Sequence, residues 1–216
     1  MQVLKLKNAV FLDMFLELNP ENPNPRNVRI VTECLLDGGV VIYPTDTIYG
    51  LGCDIYQHKA VERIARIKQT KVNKNQMSFI CKDLSDLSKF TKSISTPLYR
   101  LLKSHLPGPF TFILPASKEV PKILQTKKNT IGLRVPDNVV CQTLLSELGN
   151  PILSTSLPGD MVEEYTDPES MNDNFKDLVD IIIDSGIGSM VPSTVVDCTK
   201  EPYEILRQGA GKLEEY

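Results

Sequence analysis

Short continuous apolar runs alternate along this chain with stretches in which apolar residues recur every three or four positions, the pattern of strands interleaved with helices. Val10 to Leu18 is an apolar run that predicts a first strand, and residues 1–13 are expected to be an N-terminal extension outside a main fold of residues 14–216. A proline-rich polar turn from Asn19 to Pro25 follows. Asn24 as cap and Pro25 at the first helical position start a helix that buries Val28, Val31 and Leu35 and stops at Gly38. Val40-Val41-Ile42-Tyr43 predicts a buried strand, and Pro44 onward a polar loop. Next come a helix over Lys59 to Lys68, a lysine-bearing loop over Gln69 to Gln76, a strand over Met77 to Cys81 and a helix over Pro97 to His105. The Pro107-Gly108 turn leads into a strand from Phe110 to Leu114.

Thr130 to Val135 predicts a strand with Ile131, Leu133 and Val135 on one face and Arg134 on the other. Asp137 is expected to cap a helix ended by Gly149, and Pro151 to Thr155 to form another strand. The acidic segment Asp160 to Asn174 reads as a long surface loop. Val179 to Ile183, Val195-Val196 and Tyr203 to Leu206 complete the strands. Strands and helices alternate without a repeat period or a linker, so the expected architecture is one α/β (α+β) domain on a twisted mixed sheet flanked by helices.

Composition narrows the function classes. No stretch approaches eighteen consecutive apolar residues, so no membrane-spanning helix is expected, and the N-terminus lacks the layout of a secretory signal. The five cysteines are scattered without a Cys-x-x-Cys pair, which suits buried reduced thiols in a cytoplasmic protein and argues against structural zinc. The net charge of −3 conceals an asymmetry: Lys59 to Lys128 holds fifteen Lys or Arg against four acids, whereas Glu147 to Asp184 holds ten acids against one Lys. The basic stretch points to a phosphate-bearing partner if its charges converge, and to solvated helix faces if they do not.

Candidate chemistry sits where strands turn into hydroxyl residues beside Gly or Pro: Thr45 and Thr47, Thr111, Ser154 and Ser156, Ser193 and Thr194, with Arg207-Gln208-Gly209 as a basic variant. Converging hydroxyls and freed backbone N–H groups suit phosphate and carboxylate oxygens. Arg134, inside an apolar strand, requires an anionic partner, either a ligand carboxylate or phosphate or an internal Asp or Glu. Lys68, ending its helix, is placed to reach a phosphate. His58 and His105 have no metal-ligand or Ser-His spacing, and phosphate-loop, dinucleotide and nucleophile-elbow motifs are absent.

The ordered motifs Gly39-Val40-Val41-Ile42-Tyr43-Pro44-Thr45-Asp46-Thr47-Ile48-Tyr49-Gly50-Leu51, Pro107-Gly108-Pro109-Phe110-Thr111, Ile131-Gly132-Leu133-Arg134-Val135-Pro136, Ser193-Thr194-Val195-Val196-Asp197 and Arg207-Gln208-Gly209-Ala210 resemble the YrdC-like family, the threonylcarbamoyl-AMP synthases. Asn19-Pro20-Glu21-Asn22-Pro23 and Leu153-Ser154-Thr155-Ser156-Leu157 resemble its YciO-type branch most closely. The resemblance implies a YrdC/RibB-like sheet around a concave basic cavity. It also implies condensation of L-threonine, bicarbonate and ATP, with Mg²⁺, to threonylcarbamoyl-adenylate and pyrophosphate, a nucleotidyltransferase reaction. A threonylcarbamoyl transferase would use the product to modify tRNA, and double-stranded RNA is a further implied partner. Carried over by position, Thr47 and Arg134 hold threonine, Lys68 and Arg134 are catalytic, and Lys68, Thr111, Ser154, Ser156, Ser193 and Arg207 hold the nucleotide. Three departures stand out. The family's Lys-x-Arg is here Lys68-Gln69-Thr70, with Lys71 and Lys74 as nearby point charges; Met77 to Lys82 lacks the family's histidine; and its Ser-Ala-Asn is Ser156-Leu157-Pro158. They favour an alternative: a YciO-type RNA- or nucleotide-binding protein with weak or different activity on the adenylate.

Overall fold

The computed structural model describes residues 14–72, 77–159 and 166–213. Residues 1–13, Lys74 and the first part of the acidic segment lie outside the described residues. In chain order the elements are β1 (Met14–Glu17), α1 (Pro25–Leu36), β2 (Val41–Tyr43), β3 (Gly50–Asp54), α2 (His58–Ile67), β4 (Ser78–Ile80), α3 (Leu84–Lys89) and α4 (Thr96–His105). They continue with β5 (Phe110–Pro115), β6 (Thr130–Arg134), α5 (Val139–Leu148), β7 (Ile152–Ser156), α6 (Pro168–Phe175), β8 (Ile181–Asp184), β9 (Thr194–Asp197) and β10 (Glu204–Arg207). One ten-stranded mixed sheet runs in the order β1-β8-β2-β3-β7-β4-β6-β5-β9-β10.

Strand alternation sorts the two faces. Ile42, Leu51, Cys53, Phe79, Leu133, Leu153, Phe112 and Val196 point to one side, where residues of α2, α3, α4 and α6 pack on them. Val41, Tyr43, Ile80, Ile152, Ile181 and Ile183 point to the other side, under α1 and α5. Those two helices cover only part of this second face. Beyond them, β4 to β9 turn Ser78, Gly132, Arg134, Thr111, Ser154 and Val195 toward open space. An uncovered half-face of a sheet is therefore the architectural origin of the site.

Local chemistry explains the element ends. The Asn24 side chain accepts from Arg26 N–H and Pro25 opens α1, while Gly38 follows its end at φ +89°, a conformation that suits glycine. Gly149 ends α5 at φ +73°. Arg63 on α2 meets Asp180 at 2.5 Å, and the same carboxylate oxygen accepts from Val40 N–H at 2.7 Å, tying α2 to the sheet. All five cysteines are free and buried. Among the described residues no helix is long and apolar enough to cross a membrane.

Several sequence expectations need correction. Of the expected Val10 to Leu18 strand, Val10 to Asp13 lie outside the described residues, and Met14 to Glu17 form β1. The segment read as a loop after Tyr43 returns as β3, antiparallel to β2. Its Gly-Leu-Gly-Cys-Asp composition hides the alternation, because Gly52 faces a surface where a Cβ would lie 2.8 Å from the Tyr43 ring. A short helix, α3, was masked by polar residues and is capped by the Asp83 carboxylate on Asp86 N–H. The acidic stretch expected to be loop through Asn174 contains α6, capped by Asp167 with Pro168 at its start, and it buries Met171 and Phe175. Asn138, rather than Asp137, caps α5.

The α1–α5 layer supports the covered half of the site face. Leu144 is fully buried there, so Leu144→Ala is expected to destabilise the fold by about 2–5 kcal/mol. Urea unfolding checks this as a lowered midpoint with an unchanged slope.

Candidate functional site

A cavity of about 580 Å³ opens on the uncovered sheet face, within the usual size of small-molecule sites. The eight residues carried over by position line it: Thr47, Lys68, Thr111, Arg134, Ser154, Ser156, Ser193 and Arg207, as does Thr45, whereas Thr194 does not. The expectation that the hydroxyls gather at strand ends holds only partly. Ser154 stands mid-strand in β7 and Thr111 one residue into β5, on the sheet face itself, while Ser156 and Arg207 end their strands. Register shows the surface they share: Ser154 pairs with Ser78, Ser78 with Gly132 and Gly132 with Ile113, in one row across four strands.

The connection from β2 to β3 folds back over this face and brings Thr45, Asp46 and Thr47 to Arg134, four strands away in the sheet. Arg134 Nη2 donates to Thr47 Oγ1 at 2.7 Å and to Thr45 Oγ1 at 3.4 Å, and it forms an ion pair with Asp46 Oδ1. Of the two partners left open by sequence, the internal carboxylate is the one present. Arg134 is therefore not the lone guanidinium that a ligand alone must satisfy. The pair is incomplete: buried Asp46 Oδ2 and Arg134 Nε have no hydrogen-bond partner among the described residues. Thr45 is itself held by donating to Ile48 C=O at 2.7 Å. Nearby, burial raises the Cys141 thiol to about 12, with Arg134 opposing and Asp46 adding to the rise, so this thiol stays protonated.

Two more cations reach the cavity. Lys68 caps α2 and donates to Leu157 C=O at 3.1 Å and Ser156 Oγ at 3.4 Å. Burial lowers its pKa from the ordinary lysine value. Arg207 on β10 donates from Nε and Nη2 to Ser193 C=O at 3.1 and 2.9 Å, and from Nη2 to Ser193 Oγ at 3.2 Å. Ser193 Oγ lies 2.9 Å from Thr111 Oγ1. The Thr194 hydroxyl accepts from Gly209 N–H at 2.9 Å and donates to Gly211 C=O at 2.6 Å, locking the chain after β10 against the start of β9. Burial, then the charge of Arg134, lowers the Arg207 pKa.

The lining among the described residues thus holds three cations, a set of hydroxyls and no carboxylate, which equips it to bind oxyanions. No group of three His, Cys, Asp or Glu that could hold a metal occurs among the described residues. Ser78, Thr126, Thr130 and Gly132 also line the cavity and were missed in the sequence. The alternation of Thr130, Gly132 and Arg134 along one strand is the signal that could have found two of them. Of the basic middle stretch, Lys68 alone lines the cavity among the described residues, while Lys82, Lys92, Lys103, Lys118, Lys122, Lys127 and Lys128 are exposed. Most of that charge lies on the exposed surface and off the cavity lining. Lys71 is exposed and off the lining.

Residues 33–209 match the Sua5_yciO_yrdC family model, whose description is telomere recombination. The structure is similar to that of Escherichia coli YciO, with a TM-score of 0.86 and 41% identity, covering 93% of this chain and 98% of that one. It is also similar to P. abyssi Sua5 complexed with L-threonine, with a TM-score of 0.81 and 27% identity over 91% of this chain and 57% of that one. In sequence, a threonylcarbamoyl-AMP synthase of Vibrio vulnificus is 32% identical over 186 residues, 85% of this chain and 98% of the relative.

Two outcomes follow from this geometry. A Cβ on Gly132 would lie 3.2 Å from Ser78 Cβ and 3.3 Å from Thr111 Cγ2, so Gly132→Val fills the floor and is expected to weaken ligand binding by about tenfold or more. Calorimetry with ADP on the folded variant checks it. Because the Lys68 pKa is lowered, its charge disappears earlier on the alkaline side than a solvated lysine's. The affinity for ADP, used as a phosphate-bearing probe, is therefore expected to fall on the alkaline side at a lower pH than loss of a solvated lysine's charge would give. In Lys68→Met the affinity is lower and the alkaline fall is lost.

Proposed function

Because the chain belongs to the Sua5/YciO/YrdC family, we propose that its cavity joins an amino acid to an adenylate in the manner of a threonylcarbamoyl-AMP synthase. The observation that carries this is the arrangement of hydroxyls and three cations around one cavity whose described lining has no carboxylate. A relative named for this synthesis and a neighbouring Sua5 structure with L-threonine support the choice of substrates. In this reading Arg134 and Thr47 hold the threonine carboxylate and side of the molecule nearest them. Lys68, Thr111, Ser154, Ser156, Ser193 and Arg207 hold the nucleotide and its phosphates.

The chemistry asks for placement and charge rather than a covalent nucleophile. The threonine amine attacks the bicarbonate carbon, an N–C bond forms, a C–O bond breaks and water leaves, giving a carbamate. One carbamate oxygen attacks the α-phosphorus of ATP, a P–O bond forms, the bond to the β-phosphate bridge breaks, and pyrophosphate leaves. Negative charge builds on the five-coordinate phosphorus and on the leaving group, where Lys68 and Arg207 stabilise it. Mg²⁺ enters as part of the substrate MgATP, because the described lining offers no carboxylate to hold a resident ion. The adenylate would then pass to a threonylcarbamoyl transferase acting on tRNA.

A second reading, nucleotide or RNA binding with weak or different activity on the adenylate, is favoured by one feature. Lys68 is followed by exposed Gln69 rather than leading to a second clamping arginine, and loss of one such contact costs about 2–4 kcal/mol in a transition state. The deciding experiment incubates the protein with MgATP, L-threonine and bicarbonate and measures pyrophosphate. Threonine-dependent release is expected, with Arg134→Gln lowering kcat/KM by about a hundredfold or more. Tight nucleotide or RNA binding without threonine-dependent pyrophosphate would establish the second reading instead.

A further inference from the structure

The three cations that reach the cavity differ in their partners. Lys68 and Arg207 contact hydroxyl and carbonyl oxygens and pair with no carboxylate among the described residues. Arg134 instead has a resident counter-ion. The Asp46 and Arg134 side chains are 9% and 8% exposed, and only Arg134 reaches the cavity lining. Asp46 therefore stands behind the guanidinium as seen from the cavity. It takes one Nη2 contact and leaves Nε and its own Oδ2 unpartnered.

Such a pair still offers donors to a ligand, but it has little net charge to offer with them. A carboxylate brings one negative charge to the pair, whereas a phosphate group brings nearly two. With Asp46 close by in a poorly solvated wall, each added negative charge is increasingly disfavoured. At Lys68, and separately at Arg207, no carboxylate among the described residues opposes a phosphate. The hydroxyls of Thr45 and Thr47 share Nη2 with Asp46, so they fix the guanidinium's orientation without adding charge.

We infer that Asp46 is a specificity-determining, positioning residue. By partly neutralising Arg134 it reserves that subsite for a monoanionic carboxylate and sends phosphate groups to Lys68 and Arg207. This rests on the proposed assignment of Arg134 to the amino-acid carboxylate. Its consequence is that free phosphate does not block the amino-acid subsite.

Calorimetric titration of L-threonine, with and without millimolar inorganic phosphate, tests this on the full chain. In the wild-type protein the threonine affinity is expected to change less than about twofold with phosphate. In Asp46→Asn, where Arg134 keeps its full charge, phosphate is expected to compete and weaken apparent threonine binding by about tenfold or more. Asp46→Glu, which restores the carboxylate, is expected to return phosphate insensitivity, a rescue that a packing role alone does not give. The wild-type arm stands by itself should Asp46→Asn fail to fold, since phosphate competition there overturns the inference. Threonine binding through Arg134 with equal phosphate sensitivity in wild type and Asp46→Asn overturns the role of Asp46 alone. No threonine binding, or binding that Arg134→Gln leaves intact, overturns the Arg134 assignment and this inference together.

Discussion

A guanidinium cannot remain in the wall of an apolar sheet unless an anion meets it, and in this fold Asp46 meets Arg134. That single requirement ties together distant parts of the chain. The β2–β3 connection must cross the intervening strands to deliver Asp46, Thr45 and Thr47, and in doing so it becomes one wall of the cavity. The pair is left with an orphan atom on each partner, and unsatisfied buried polar atoms cost about 1–3 kcal/mol each. Arg134 is therefore a structural tether that also reaches the cavity lining.

The cavity exists because the two helices on that side stop short. α1 and α5 bury the β1, β8 and β2 end together with Ile80 and Ile152, while the remaining strands present small and hydroxyl side chains. Gly132 keeps the floor low between Ser78 and Thr111. The far wall is built by β9, β10 and the chain after them, pinned through Thr194 so that Arg207 lies on Ser193. Fold and chemistry thus share the same residues, and the apolar face carries the stability that the polar face cannot supply.

Much of this was legible in the chain. Period-two alternation in β6 placed Arg134 opposite Ile131, Leu133 and Val135, and the caps at Asn24, Gly38 and Gly149 marked their helices correctly. The hydroxyl candidates were visible locally as Ser and Thr beside Gly or Pro at strand boundaries, whereas Lys68 and Arg134 stood out as a helix-end cation and a guanidinium in an apolar strand. What was hidden depended on tertiary context. β3 carries glycines where a side chain would strike Tyr43, which erased its alternation, and α6 lies in an acidic run whose two apolar anchors, Met171 and Phe175, are widely spaced. The identity of the Arg134 partner was likewise beyond local reading, since Asp46 lies 88 positions away. Charge density did not locate the cavity: most of the basic stretch is exposed and off the lining, because a lysine's position on its element, and not its count in a segment, decides where it points.

The central claim is an electrostatic division among the cations of one cavity, with the carboxylate at Arg134 and phosphate at the cations that have no carboxylate partner. A crystal structure of the protein with L-threonine and pyrophosphate bound together tests it most directly. The expected result places the threonine carboxylate on Arg134 with Asp46 still in contact, and pyrophosphate on Lys68 or Arg207. Pyrophosphate on Arg134, or threonine seated on Lys68 or Arg207, would contradict it.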